Sequence, residues 1–133
     1  MTNYILFNSS IFHATIISII MVAYIDTIPL VAAVSICIIL FTSLWNHGTR
    51  SIMAQLIDRC VCLFTSGIIM FYALISPIYL GFEMCMMMIF AGTLIPLSKF
   101  CSETNRTCMH LVAHFIATLC VIWFIILYEP SNN

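Results

Sequence analysis

About five apolar segments, each about twenty residues long and separated by short polar breaks, constrain the fold of this chain more than any other feature. An α-helix of that length crosses the hydrocarbon core of a bilayer with all its backbone polar groups bonded inside the segment. Hydrophobic residues make up 63% of the chain and charged residues only 7%, unlike a soluble domain. The sequence predicts an all-α fold, a polytopic membrane helix bundle of about five transmembrane helices.

The 133 residues leave room for a single integral membrane domain and for no separate soluble domain. Proline residues and short polar turns divide the apolar segments from one another. The predicted helices cover about 4–24, 28–46, 51–75, 77–97 and 108–128, and the polar stretch 98–107 is predicted to be the longest loop. The net charge of -1 provides no basic surface for nucleic acid, so we expect none as a partner.

The basic residues outside the predicted helices fall on one side of the bundle. With five spans, the amino terminus, the turn at Arg50 and the loop that contains Lys99 and Arg106 share that side. Loops rich in lysine and arginine usually stay in the cytosol. We therefore predict a multi-pass protein with a cytosolic amino terminus.

Three histidines, one serine and one aspartate fall at one predicted depth in the membrane. Ser43 and His47 are four residues apart, so they share a face of the second helix. The same spacing places His110 and His114 on one face of the last helix. Asp58 lies about two turns into the third helix from the same side, and at ~1.5 Å per residue all five lie within about 10 Å of one surface. A single site is therefore predicted.

Zinc chemistry suits such a set of side chains. Neutral imidazoles are common zinc ligands, and a catalytic zinc site keeps three protein ligands, so His47, His110 and His114 are the predicted metal ligands. A nearby carboxylate that does not bind the metal can accept a proton from the activated water, which assigns Asp58 as the catalytic base. Ser43 is predicted to donate a hydrogen bond to the developing oxyanion or to hold the water in place.

The residues around this set resemble the core of the CREST superfamily. The sequence LFTSLWNH at 40–47 is followed by QLID at 55–58. The superfamily includes alkaline ceramidases, progestin and adipoQ receptors, hemolysin-III-like proteins and the Per1 group, and its hallmark is S-x-x-x-H, an aspartate on the next helix and H-x-x-x-H on the last. The QLID sequence and its distance from His47 are most similar to the alkaline ceramidases.

The resemblance implies a zinc-dependent hydrolase that acts on the amide of a membrane lipid. By this resemblance His47, His110 and His114 bind zinc, while Asp58 contacts the catalytic water and Ser43 assists. Members of the superfamily typically have seven spans, so this chain would be a shortened, ceramidase-like member that lacks about two helices between Asp58 and His110. A homo-oligomer is one way to replace them.

Two other classes of function fit the same sequence. One is a haem or quinone membrane anchor subunit of a respiratory complex such as succinate dehydrogenase, where a histidine and an aspartate eleven residues later also occur on a membrane helix. The other is a non-enzymatic small membrane protein, in which none of the five residues matters more than its neighbours.

Simpler structural interpretations exist for several of the polar residues. Asp58 can be an interfacial charge at the level of the lipid headgroups, and Ser43 can bond to the backbone of its own helix. His13, in the first helix, has no partner at a matched spacing and is interpreted as a core or lumen-lining histidine. Glu83 is the other candidate for a buried ionisable residue, predicted about two turns into the fourth helix from the opposite side of the membrane, and so outside the zinc site.

Overall fold

The described part of the chain consists of five α-helices and contains no strand. The computed structural model describes residues 2–49, 51–76 and 80–128. The helices are α1 (Thr2–Ala23), α2 (Leu30–Thr49), α3 (Ile52–Ile75), α4 (Leu80–Ser98) and α5 (Glu103–Leu127). All five are long and apolar enough to cross a membrane. The predicted all-α, multi-pass bundle of five helices is confirmed.

The helices are arranged as a closed ring. Each helix packs against the next one along the chain, α5 also packs against α1, and α3 makes a slight contact with α5. Between the described residues of α2 and α5, no two Cα atoms approach within 8 Å. The interior of the ring between α2 and α5 is therefore wide enough to be filled by long side chains.

Small residues allow the helix backbones to approach closely. In a bilayer the helices are surrounded by apolar lipid, so their association depends on van der Waals packing rather than on the removal of apolar surface from water. A Cβ atom added at Gly81 on α4 would lie 2.9 Å from the Leu74 side chain and 3.1 Å from the backbone oxygen of Ala73 on α3. Alanines are buried at other positions in the bundle: Ala32, Ala33, Ala54, Ala73, Ala91 and Ala113.

Two helix boundaries at the histidine end of the bundle differ from the prediction by three residues or more, and both changes affect the site. The prediction ended the second helix before His47, but α2 continues to Thr49, whose hydroxyl donates to the Trp45 carbonyl oxygen at 2.9 Å. The prediction began the last helix near residue 108, but α5 begins at Glu103. Ser102 caps it by accepting a hydrogen bond from the Asn105 backbone N–H at 3.5 Å, which satisfies one of the unpaired donors of the first turn.

Most of the predicted loop at 98–107 is therefore helical, and only a short turn joins α4 to α5. The predicted start of the fourth helix at 77 and the cation Arg50 lie outside the described residues. The consequence for the site is that its histidines all stand on regular helices. Their side chains are consequently held by the backbone of the bundle rather than by loops.

Candidate metal centre

Three histidines converge in the interior of the ring. His47 lies in the last turn of α2, and His110 and His114 lie one turn apart on α5. The ring centroids are 5.4 Å apart for His47 and His110, 5.1 Å for His47 and His114, and 4.7 Å for His110 and His114. One nitrogen from each ring lies within 4.8 Å of the other two. The structure therefore brings the three predicted metal ligands together across the gap between α2 and α5.

The nitrogen atoms of this cluster are spaced as ligands of one small cation would be. Nε2 of His110 and Nε2 of His114 are 3.0 Å apart. Nitrogens bound tetrahedrally to zinc at about 2.0–2.1 Å stand about 3.3 Å apart, so only a small adjustment separates this pair from ligand geometry. Nε2 of His47 is buried and has no hydrogen-bond partner in the described part of the chain. A buried polar atom without a partner is costly in hydrocarbon, and a cation at the cluster would satisfy it.

Asp58 lies beside the histidine cluster but not within the set of nitrogens that could hold a metal. The Asn46 amide Nδ2 donates to Asp58 Oδ2 at 2.7 Å, and the Thr42 hydroxyl donates to Oδ1 at 3.4 Å. The carboxylate of Asp58 is half-buried, and its partner Asn46 is the residue next to His47. It is therefore an inward-facing, hydrogen-bonded group, which argues against the simpler interpretation of a free charge among lipid headgroups.

Thr42 and Asn46 are site residues that the sequence analysis missed. They lie four residues apart on α2 and each precedes one of the predicted residues, Ser43 or His47, by one position. Both pairs therefore have the spacing of one helix turn. The face of α2 that bonds to Asp58 therefore lies beside the face that carries His47. The repeated spacing of four residues, at 42/46 and at 43/47, is the sequence signal that could have revealed this second face.

Ser43 is half-buried one turn before His47, toward the middle of α2. Within the described residues its hydroxyl makes no hydrogen bond, neither to its own helix nor to Asp58. Other hydroxyls in the bundle do bond to the carbonyl four residues earlier, as Ser35 does to Val31 at 2.7 Å. The interpretation of Ser43 as a serine bonded to its own backbone therefore does not apply, and its hydroxyl is free for another partner.

His13 joins the cluster from α1 and was not predicted to do so. Its ring centroid lies 6.0 Å from that of His114, and its Nδ1 is hydrogen-bonded to the Thr118 hydroxyl at 3.0 Å. Thr118 lies one turn beyond His114 on α5. His13 is 105 residues from Thr118 in the sequence, so no local spacing could reveal the pair. All four histidines of the chain consequently form one group.

Glu83 lies away from this group, as predicted. It occupies the first turn of α4 and its side chain is exposed, so the predicted burial about two turns into the helix is wrong. Because α4 begins at the opposite end of the bundle from the last turn of α2, Glu83 is not part of the candidate metal centre.

Comparisons of the chain with protein-family models, with curated proteins and with solved structures return no match. The geometry of the histidines and Asp58, together with the sequence resemblance, is therefore what bears on function.

Proposed function

We propose that this protein is a zinc-dependent membrane hydrolase that cleaves an amide bond in a lipid. The single observation that supports the proposal most is the convergence of three imidazoles, with one nitrogen of each within 4.8 Å of the others. They come from two helices whose described Cα atoms do not approach within 8 Å of one another. Metal sites commonly contain such histidines, and three protein ligands leave one position of a tetrahedral ion open for catalysis.

His47, His110 and His114 would hold the zinc ion. When bound, zinc acts as a Lewis acid and lowers the pKa of a coordinated water to about 7, which makes a nucleophile available at neutral pH. Imidazole is a suitable ligand for this ion, whereas calcium and magnesium prefer oxygen ligands. The donor set therefore favours zinc over the hard cations.

Asp58 would accept a proton from the attacking water and later deliver it to the leaving amine. General acid and base groups of this kind accelerate reactions about 10²–10⁴-fold. The Asn46 amide holds one oxygen of the carboxylate by a hydrogen bond of 2.7 Å. The Thr42 contact to the other oxygen is weaker, so that oxygen is more available to accept a proton. Ser43, whose hydroxyl makes no hydrogen bond to any described residue, would donate one to the oxyanion that develops on the substrate carbonyl.

A lipid is the substrate class that best suits the position of this site. The helices that surround it are apolar and long enough to lie in a bilayer, and His47 occupies the last turn of α2. A scissile amide that joins an acyl chain to a lipid headgroup lies near the end of the hydrocarbon region, at the depth of a site near helix ends. The resemblance to alkaline ceramidases leads to the same substrate class.

The site would face the cytosol. Lys99, in the turn between α4 and α5, and Arg106, in the first turn of α5, lie at the histidine end of the bundle and are both exposed. Basic residues at the ends of membrane spans usually stay on the cytosolic side. The amino terminus of α1 lies at the same end because two helices separate it from the α2–α3 turn.

A haem anchor is less favoured by the geometry. Two axial ligands of haem iron bind from opposite faces, so their nitrogens lie about 4 Å apart, twice a metal–nitrogen bond of about 2.0 Å. The His110 and His114 nitrogens are only 3.0 Å apart. They suit chelation of a single ion on one side better than trans ligation.

Elemental analysis of the detergent-purified protein tests the metal, and hydrolysis of a fluorescent short-chain ceramide tests the reaction. We expect about one zinc per chain, which the double variant His110→Ala/His114→Ala should lose. Asp58→Asn should keep its zinc and lose about 10²–10⁴-fold in hydrolysis, because it removes the base and not a ligand.

Glu83→Gln is the matched control, since it also removes one carboxylate but lies exposed on α4 away from the cluster. It should keep both zinc and activity. Absence of zinc from the folded wild-type protein would overturn the proposal, and so would full hydrolysis by Asp58→Asn.

A further inference from the structure

His13 has a fixed orientation that the metal centre itself does not require. Its Nδ1 is bonded to the Thr118 hydroxyl at 3.0 Å, and its ring stands beside His114 with 6.0 Å between centroids. It does not belong to the three rings whose nitrogens lie within 4.8 Å of one another. α1, which carries it, packs against both α2 and α5. A polar side chain placed this way inside a membrane bundle calls for a functional explanation.

The hydroxyl of Thr118 indicates which nitrogen of His13 holds the proton. Hydroxyls elsewhere on these helices donate to the carbonyl four residues earlier, as Thr15 does at 2.8 Å and Thr107 does at 3.1 Å. Among the described residues, Thr118 makes no such bond, and His13 Nδ1 is its one partner. Because a buried hydroxyl proton needs an acceptor, Thr118 donates to Nδ1. The ring proton of neutral His13 is then on Nε2.

Among the described residues, the Nε2–H group of His13 has no hydrogen-bond acceptor. Its ring is half-buried, and the described residues offer no hydrogen bond to Nε2. An N–H group beside a reaction centre in a low-dielectric site stabilises negative charge that develops on a substrate oxygen. A lipid amide has one such oxygen, that of its carbonyl group.

We propose that His13 donates a hydrogen bond from Nε2–H to the carbonyl oxygen of the lipid amide, and that Thr118 positions the ring for this purpose. The proposal rests on the hydrolase function proposed above. It adds to the site a substrate-contacting group from α1, a helix that carries none of the predicted site residues. His13 and Ser43 would then approach the carbonyl oxygen from two different helices.

Substitutions of His13 separate hydrogen bonding from packing. His13→Phe keeps a ring and loses the donor, whereas His13→Gln keeps an N–H donor and provides a carbonyl oxygen that can accept from Thr118. Removal of one oxyanion donor typically lowers kcat about 10²–10³-fold. We expect a loss of about 10²-fold in ceramide hydrolysis for His13→Phe and recovery to within about 10-fold of wild type for His13→Gln. Both variants should bind one zinc per chain, because His13 is not a ligand.

Thr118→Val tests the positioning role, with Thr15→Val as its matched control. Both substitutions replace a threonine hydroxyl by a methyl group, but Thr15 is exposed and, within the described residues, its hydroxyl bonds only to its own helix. Thr118→Val should lower hydrolysis about 5- to 10-fold, less than removal of the donor itself, and Thr15→Val should leave hydrolysis unchanged. The double variant His13→Phe/Thr118→Val should be no worse than His13→Phe, because the two residues act as one unit.

A nitrogen NMR spectrum of protein labelled with ¹⁵N-histidine tests the tautomer without reference to activity. The His13 signals, assigned by their loss in His13→Phe, should show the proton on Nε2. A proton on Nδ1 would overturn the proposal, and so would undiminished hydrolysis by a folded His13→Phe variant. Neither of those results would contradict the proposed zinc hydrolase. A wild-type protein with neither zinc nor hydrolysis would instead overturn the proposed function and this inference together.

Discussion

Replacement of Asn46 by leucine removes the stronger of the two hydrogen bonds that hold the Asp58 carboxylate. The Asn46 amide donates to Oδ2 at 2.7 Å, the short distance typical of a bond to an ionised acceptor. The Thr42 hydroxyl lies 3.4 Å from Oδ1 and has a second acceptor, the Ile39 carbonyl oxygen, at 3.2 Å. Since one hydroxyl has only one proton, Thr42 provides a shared and weaker bond.

The expected magnitude follows from these distances. Hydrogen bonds to charged groups contribute about 1.5–3 kcal/mol, and about 1.4 kcal/mol corresponds to a tenfold change in rate. If the bond from Asn46 is needed to orient Asp58 in the transition state, Asn46→Leu should lower kcat for ceramide hydrolysis about 10- to 100-fold. Thr42→Val removes a weaker bond, because the Thr42 hydroxyl is shared between Asp58 and the Ile39 carbonyl oxygen. It should lower kcat less than about 5-fold.

The assay is steady-state hydrolysis of fluorescent ceramide in detergent micelles, with zinc measured on the same preparations. We expect Asn46→Leu to lower kcat more than it changes KM and to leave the zinc content unchanged, because neither Asn46 nor Asp58 belongs to the candidate ligand group of three histidines. Equal losses in Asn46→Leu and Thr42→Val would refute the reasoning from bond length. If Asn46→Leu instead loses zinc, the orientation of Asp58 matters for metal binding. That result would refute the assignment of Asp58 as a residue that does not bind the metal.

Three further predictions concern packing, metal and orientation. Gly81→Ala should lower the free energy of unfolding by about 1–3 kcal/mol, because its added Cβ would meet the α3 backbone. Gly92→Ala is the control: its added Cβ meets no described atom within 4 Å, so it should be neutral or stabilise by up to about 1 kcal/mol. Equal melting temperatures of the two variants would contradict the close approach of α3 and α4. If the proposed zinc site exists, removal of its zinc with a chelator should abolish hydrolysis, and zinc but not magnesium should restore it, because the proposed ligands are imidazoles. Recovery with magnesium alone would contradict the histidine site. The sequon Asn105-Arg106-Thr107 should stay unglycosylated when the protein is made in cells that glycosylate, since we place it in the cytosol; a shift in mass removed by an endoglycosidase would invert the orientation.

The sequence was sufficient to predict the helices and the three convergent histidines. Apolar length alone specifies a membrane-spanning helix, because hydrocarbon forces the backbone to bond within its own segment. The spacing of His110 and His114 is a property of a single helix, so their shared face required no tertiary information. The exact ends of α2 and α5 were harder, because polar residues such as those at 46–49 and 103–107 are compatible with either a turn or the end of a helix.

The partners of the site residues required the tertiary structure. Asp58 was identified from its position in the sequence, but its bond to Asn46 depends on how α3 rotates against α2. His13 and Thr118 lie near opposite ends of the chain and meet only because α5 closes the ring onto α1. The sequence by itself determined which residues share a helix face, because helix periodicity is local. Only the tertiary structure decided which faces meet, because in a bilayer this depends on the fit of small and large side chains between helices rather than on hydrophobicity.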